Sequence, residues 1–285
     1  MTSPKQLPLR PPKAPNLLIA PVSYAQLYQD QLNNALRLYF NEIDNFAFGL
    51  FNGTGGASIK FPYGAFHQDG VTTLSANMTN VSTTPISVAS TASFPSSGFL
   101  LIQNEIVQYT TKTATTFDGT ITRGVKSTTN VAHTAGVAIT EVQAVTVGTA
   151  AAFLLTNTDY SNGITVSNNT RVNIGTDGLY NIQFSIQFLN YDTSEDDVTV
   201  WVKKNGTDIP NTASIEQVPG KHGSAPGANI LALNVIEQFA ADDYFELYWH
   251  ANAGTAVVAT YPAGTSPVHP VSPSLILTVT FVSAV

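Results

Sequence analysis

The residues that could do chemistry are few. The densest group of carboxylates is Asp192-Thr-Ser-Glu-Asp-Asp197, which sets Asp192, Glu195, Asp196 and Asp197 within six positions. Carboxylate oxygens gathered that closely are the hard ligands a calcium ion takes, but the spacing is not that of a calcium loop. An acidic run between two strands is also what a solvated loop looks like. The five histidines, His67, His133, His222, His250 and His269, form no His-x-Glu or His-x3-His pair, and the chain has no cysteine. A zinc site therefore has neither of its usual ligand patterns. No Gly-x-Ser-x-Gly elbow presents a serine nucleophile, and Gly53-Thr-Gly-Gly56 lacks the Gly-Lys-Ser/Thr ending of a phosphate loop, so it reads as a flexible joint. Nothing suggests the paired carboxylates of a glycan hydrolase. The expectation is a non-enzymatic protein with no catalytic residue, no cofactor and no metal.

What the chain does specify is strands. In Gly178-Leu-Tyr-Asn-Ile-Gln-Phe-Ser-Ile-Gln-Phe188, Tyr180, Ile182, Phe184, Ile186 and Phe188 share one face and polar residues the other, the pattern of a strand with one face in a core. Val198-Thr-Val-Trp-Val-Lys-Lys204 runs into Asn205-Gly206, a pair that supplies the two positive-φ positions of a tight hairpin. Asp242-Asp-Tyr-Phe-Glu-Leu-Tyr-Trp-His250 has aromatics on both faces: Phe245, Leu247 and Trp249 fill a core, and Tyr244 and Tyr248 face a neighbouring subunit. The chain ends on an apolar strand, Ser274–Val285.

Upstream, residues 1–22 carry Lys5, Arg10 and Lys13, no acid and six prolines, whereas residues 142–285 carry four basic and twelve acidic groups. A basic Pro-rich arm ahead of an acidic body reads as a tether that docks on another surface; an acidic body and three cations make nucleic acid a poor partner. The prolines, and the want of a long apolar block, argue against a signal peptide, and no run has the 18 apolar residues of a membrane helix. Residues 23–46 predict a helix capped by Ser23, with Leu32, Leu36, Tyr39, Ile43 and Phe46 at heptad spacing. That stripe suits a three-helix bundle on a threefold axis or packing on its own chain. Residues 47–79 read as linker and lead-in strand (Phe61–Asp69), and 80–141 as a small β module. In that module Phe99–Tyr109 is a hairpin around Asn104, Thr116–Gly124 another around Asp118-Gly119, and Gly136 a turn. About sixty residues bury a marginal core, so the module should lean on a neighbour.

The run from the Gly-x-Tyr-x-Ile-x-Phe strand through Lys-Asn-Gly and Asp-Asp-Tyr-Phe-Glu-Leu to the apolar C-terminal strand resembles the jelly-roll modules of the tumour-necrosis-factor and complement globular-head superfamily, over roughly residues 142–285. Asp159–Tyr180 is similar to the lead-in segment of such modules in tailed-phage virion proteins, and Tyr28–Asn45 after a Pro-rich leader resembles the N-terminal segment of tailed-phage structural proteins. The fold class this implies is mainly β: an N-terminal extended arm and one helix, a small β module, and a C-terminal antiparallel jelly-roll sandwich. The function it implies is a homotrimeric virion structural protein, anchored to the major capsid protein or a tail hub protein by its arm and helix, with the body exposed. A capsid decoration protein or short head fibre is the favoured placement, and a tail fibre or tail adaptor the alternative. A host-surface carbohydrate-binding module using Trp201, Trp249 or loop tyrosines as sugar platforms is a further alternative, disfavoured because both tryptophans fall inside strand patterns.

Overall fold

The computed structural model of the chain describes residues 12–17, 19, 21–51 and 61–285. It forms two compact units, Met1–Phe61 and Pro62–Val285. Lys5, Arg10 and the Gly53–Gly56 joint lie outside the described residues, and Lys13 is exposed in a stretch with no helix or strand.

In the first unit the helix spans Gln26–Phe51, later at both ends than the sequence suggested. Its first described rung is Gln29 N–H to the Ala25 carbonyl at 3.1 Å, so Ser23 sits two residues before the helix cap and does not cap it. Gly49 does not end it, since a glycine inside a helix costs only about 1 kcal/mol. Leu32, Leu36, Tyr39, Ile43 and Phe46 share the half-buried side, and Leu27, Leu38, Phe40 and Phe48 are exposed. No helix residue whose side chain is described is fully buried.

The second unit is a stack of antiparallel sheets. In the larger one the order runs Asn157–Asn162, Tyr63–Gln68, Leu275–Ser283, Gly178–Asn190, with Gly227–Phe239 paired along the whole far edge of Gly178–Asn190. The smaller sheet runs Ile164–Ser167, Arg171–Ile174, Tyr244–Ala251, Asp196–Lys204, bordered by Ser214–Val218. Alternation explains what lies between them. Tyr180, Ile182, Phe184, Ile186 and Phe188 from one sheet meet Val198, Val200, Val202, Phe245, Leu247 and Trp249 from the other in a single buried cluster, as two half-wet sheets must. Successive long strands alternate between the sheets. Gly178–Asn190 lies in the larger, Asp196–Lys204 in the smaller, Gly227–Phe239 in the larger, Tyr244–Ala251 in the smaller and Leu275–Ser283 in the larger. The Asn205-Gly206 hairpin forms as the dipeptide dictates, with φ of 50° and 81° and Lys204 opposite Thr207.

The expected boundaries at 79/80 and 141/142 both fall inside the compact unit Pro62–Val285. Strand Ala138–Ala144 crosses the second of them, pairing with Gly98–Ile102 on one side and with Ala256–Ala259 of the sandwich on the other. The larger sheet therefore continues into the 80–141 region. That region has its own core, with Leu100, Val107, Tyr109 and Phe117, and leans on the sandwich through a second cluster. There Leu101 and Ile106 meet Leu189, Tyr191, Val257 and Ala259. The hairpin around Asn104 is present, Ile102 facing Glu105. The one expected around Asp118-Gly119 is not: Gly119 turns with φ 75°, but Thr116–Asp118 pairs with Thr111–Lys112 while Thr122–Val125 joins Glu105–Tyr109. The chain turns at Gly119, and the segments on either side part into different sheets.

Candidate assembly interface

The sandwich has two outer faces, and they differ in chemistry. On the smaller sheet, Tyr244 and Tyr248 point outward and are half-buried, while Phe245, Leu247 and Trp249 are in the core. Each tyrosine is already covered by its own chain. The Arg171 guanidinium lies 4.4 Å from the Tyr244 ring and Lys203 Nζ 4.5 Å from the Tyr248 ring, with Trp201 tilted against Tyr248 at 5.9 Å. Trp201 Nε1 donates to Asp208 at 2.7 Å, and Lys203 pairs with Asp208 at 3.2 Å. Glu246 accepts from Thr170 Oγ1 at 2.7 Å and lies 3.7 Å from Arg171. This is a surface laced with charge.

On the larger sheet, the outward positions of Gly178–Asn190, Gly227–Phe239 and Leu275–Ser283 hold no charged residue at all. They carry Asn181, Gln183, Ser185, Ala232, Asn234, Thr278 and Thr280, and four large aliphatics stand up from them: Ile230 at 62% exposure, Ile236 at 59%, Val282 at 52% and Ile276 at 47%. A shallow hollow of about 430 Å³ opens at the centre, floored by Ser185, Ala232 and Thr278. Nine residues of strand and three strand widths give a face of roughly 30 by 14 Å, on which the four aliphatics stand among uncharged polar side chains. At the far edge of the same sheet, Tyr63 and Tyr160 are also exposed.

The acidic run does not gather. Asp196 is buried and accepts from the backbone N–H groups of Ala253 (2.7 Å), Thr255 (2.9 Å) and Ala256 (2.9 Å), and from Thr255 Oγ1 at 3.2 Å. Asp192 accepts from Ser194 N–H at 2.9 Å and Ser127 Oγ at 2.7 Å, and those bonds hold its carboxyl below the usual range. Glu195 is exposed. Among the described residues no three His, Asp or Glu side chains are placed to share a metal ion.

Two buried polar groups escaped the sequence reading. Around strand Ala138–Ala144, Thr140 Oγ1, Glu141 Oε1, Gln143 Nε2 and the adjoining Thr260 Oγ1 have no hydrogen-bond partner. They are four of the five such buried side-chain atoms among the described residues, the fifth being Asn181 Oδ1. Burial pushes the Glu141 carboxyl up to about 7, against the lowering bond from Gln68 and with the Asp69 charge. In the module, Glu105 is buried against Arg123 Nη2 (2.7 Å) and His133 Nε2 (2.8 Å). Desolvation there favours the neutral acid, but the bonds from Arg123, Val131 N–H and His133 outweigh it and leave the carboxyl below its ordinary value. His133 was visible only as one of five scattered histidines; its partners lie 28 and 30 residues away.

No family model and no curated protein matches the chain. No described helix is long and apolar enough to cross a membrane.

Proposed function

We propose that the chain is a structural protein of a tailed-bacteriophage virion, a homotrimer anchored by its arm and helix with the β body exposed. It serves as a capsid decoration protein or short head fibre, with a tail fibre or tail adaptor as the alternative placement. The observation that carries the structural part is the uncharged outer face of the larger sheet. A water-soluble surface does not normally present four exposed β-branched aliphatics on two strands that flank a third without one charge among the three, and a second copy of the same chain covers such a face at no cost in unpaired charge. A ring of three needs two different patches on each subunit, and the exposed Tyr63 and Tyr160 on the same sheet supply the second. This assigns self-association to the larger sheet in preference to Tyr244 and Tyr248, whose rings already carry cations of their own chain.

The alternation of long strands between two sheets supports the jelly-roll reading, and the contrast of a basic arm with an acidic body supports a docking role for the arm. The half-exposed stripe Leu32, Leu36, Tyr39, Ile43, Phe46 suits a helix that meets its own copies. The test is particle assembly with the chain lacking residues 1–22. The deleted protein should stay folded and be missing from purified particles; particles that carry it at normal copy number would remove the arm from the anchor.

A further inference from the structure

On the opposite side of strand Ala138–Ala144 from Glu141, where the module meets the sandwich, a cleft of about 390 Å³ opens between the β-hairpin turn at Gln103-Asn104 and the sandwich loops that carry Tyr191, Tyr261 and Pro262. That volume lies at the lower end of small-molecule sites, about 300–1,000 Å³, and junctions between substructures are where such sites tend to form. Its walls combine two tyrosine rings and two prolines with two carboxamides and the Thr140 hydroxyl, and none of its lining residues is charged.

Three features mark it as built. Thr140 is 2% exposed, lines the cleft, and its Oγ1 has no partner within the protein; a buried hydroxyl left unpaired wants an explanation. Gln103 holds the φ of 56° that the first central position of the two-residue Ile102–Glu105 hairpin requires, which fixes where its side chain leaves the cleft's edge. Its carboxamide is also fixed from behind. His133 Nδ1 engages Gln103 Oε1 at 3.0 Å, His133 Nε2 meets Glu105 at 2.8 Å, and Arg123 holds Glu105 at 2.7 Å, all three of these supporting side chains being 5% exposed or less. A buried ion pair is a poor source of stability. As a support it orients one exposed amide at the cleft's edge, which is what a binding site requires of the residues behind it.

We propose that this cleft binds a neutral hexose unit of a glycan, with the sugar ring against Tyr261 and its hydroxyls on Thr140, Gln103 and Asn104. Aromatic faces take the apolar face of a sugar ring while amides and hydroxyls match its alternating donors and acceptors. The absence of a lining cation or anion selects against phosphate, sialic acid and amino sugars. The site lies apart from the uncharged face of the larger sheet and stands whether or not that face assembles.

The probes are the methyl glycosides of glucose, galactose and mannose, with N-acetylneuraminic acid as the charged control, and the full-length chain observed by saturation-transfer NMR. Transfer to at least one neutral glycoside at millimolar affinity is expected. Tyr261→Ala, Thr140→Val and Asn104→Ala should each weaken it by about tenfold, and Trp201→Ala should leave it unchanged. Asn104 is exposed at a turn, so its variant reads binding without a folding question. No transfer to any of the three, equal transfer to the charged control, or full binding by Tyr261→Ala and Asn104→Ala overturns the proposal.

Discussion

Replacing Glu141 by Gln should stabilise the protein at pH 8 and flatten its stability between pH 5 and 8. Glu141 is wholly buried; one oxygen accepts from Gln68 Nε2 at 3.3 Å and the other has no donor. Its carboxyl is pushed from the ordinary 4.5 up to about 7. The folded state thus keeps a proton between those two values that the unfolded chain has already lost. Stability from this group is fully present below pH 4.5 and declines as the pH rises through 7. A gap of about 2.5 units at about 1.4 kcal/mol each gives roughly 3.5 kcal/mol, or on the order of 7–14 °C in melting temperature for a unit of this size. Urea unfolding of both proteins at fixed concentration, at pH 5, 6, 7 and 8, reads the effect. Other titrations cancel in the difference between the two, which should grow with pH in favour of Glu141→Gln. Parallel curves would refute the argument that this carboxyl is buried without a donor.

Asp196→Ala should cost about 3 kcal/mol in urea unfolding, because it orphans three backbone N–H groups at once, while chelator should leave the melt of the wild type unchanged. Gly206→Ala should lower stability by about 1 kcal/mol in a thermal melt, since its φ of 81° puts a Cβ in the left-handed region. Deleting residues 1–22 should leave the melting temperature of the body within a degree or so of the full chain, as a proline-rich arm buries little; circular dichroism on heating checks it.

Strands with one apolar face were plain in the sequence. Tyr180 to Phe188 alternates strictly, and all five apolar members are buried; Asn205-Gly206 announced its own hairpin. Gly227–Phe239 was missed for the reason that makes it interesting. Leu231, Leu233 and Val235 face inward, but Ile230, Ala232 and Ile236 face out, so apolar residues occupy both parities and period two has no contrast to show. A strand apolar on both faces is the signal of a covered sheet, and that signal could have located the candidate interface. The link between module and sandwich was hidden for a different reason: the pairing of Ala138–Ala144 with Ala256–Ala259 joins residues more than a hundred positions apart, which no local pattern encodes. The Glu105–Arg123–His133 group and the cleft at Thr140 are likewise products of topology.

The most direct test of the central claim is the mass of the purified chain in solution, by multi-angle light scattering at micromolar concentration, beside a variant with Ile230→Lys and Ile276→Lys on the uncharged face. Self-association through that face predicts three times the 30.3 kDa chain mass for the wild type and a folded, lighter species for the variant. A wild-type protein that runs at 30.3 kDa, or a double variant that keeps the full assembly mass, would contradict it.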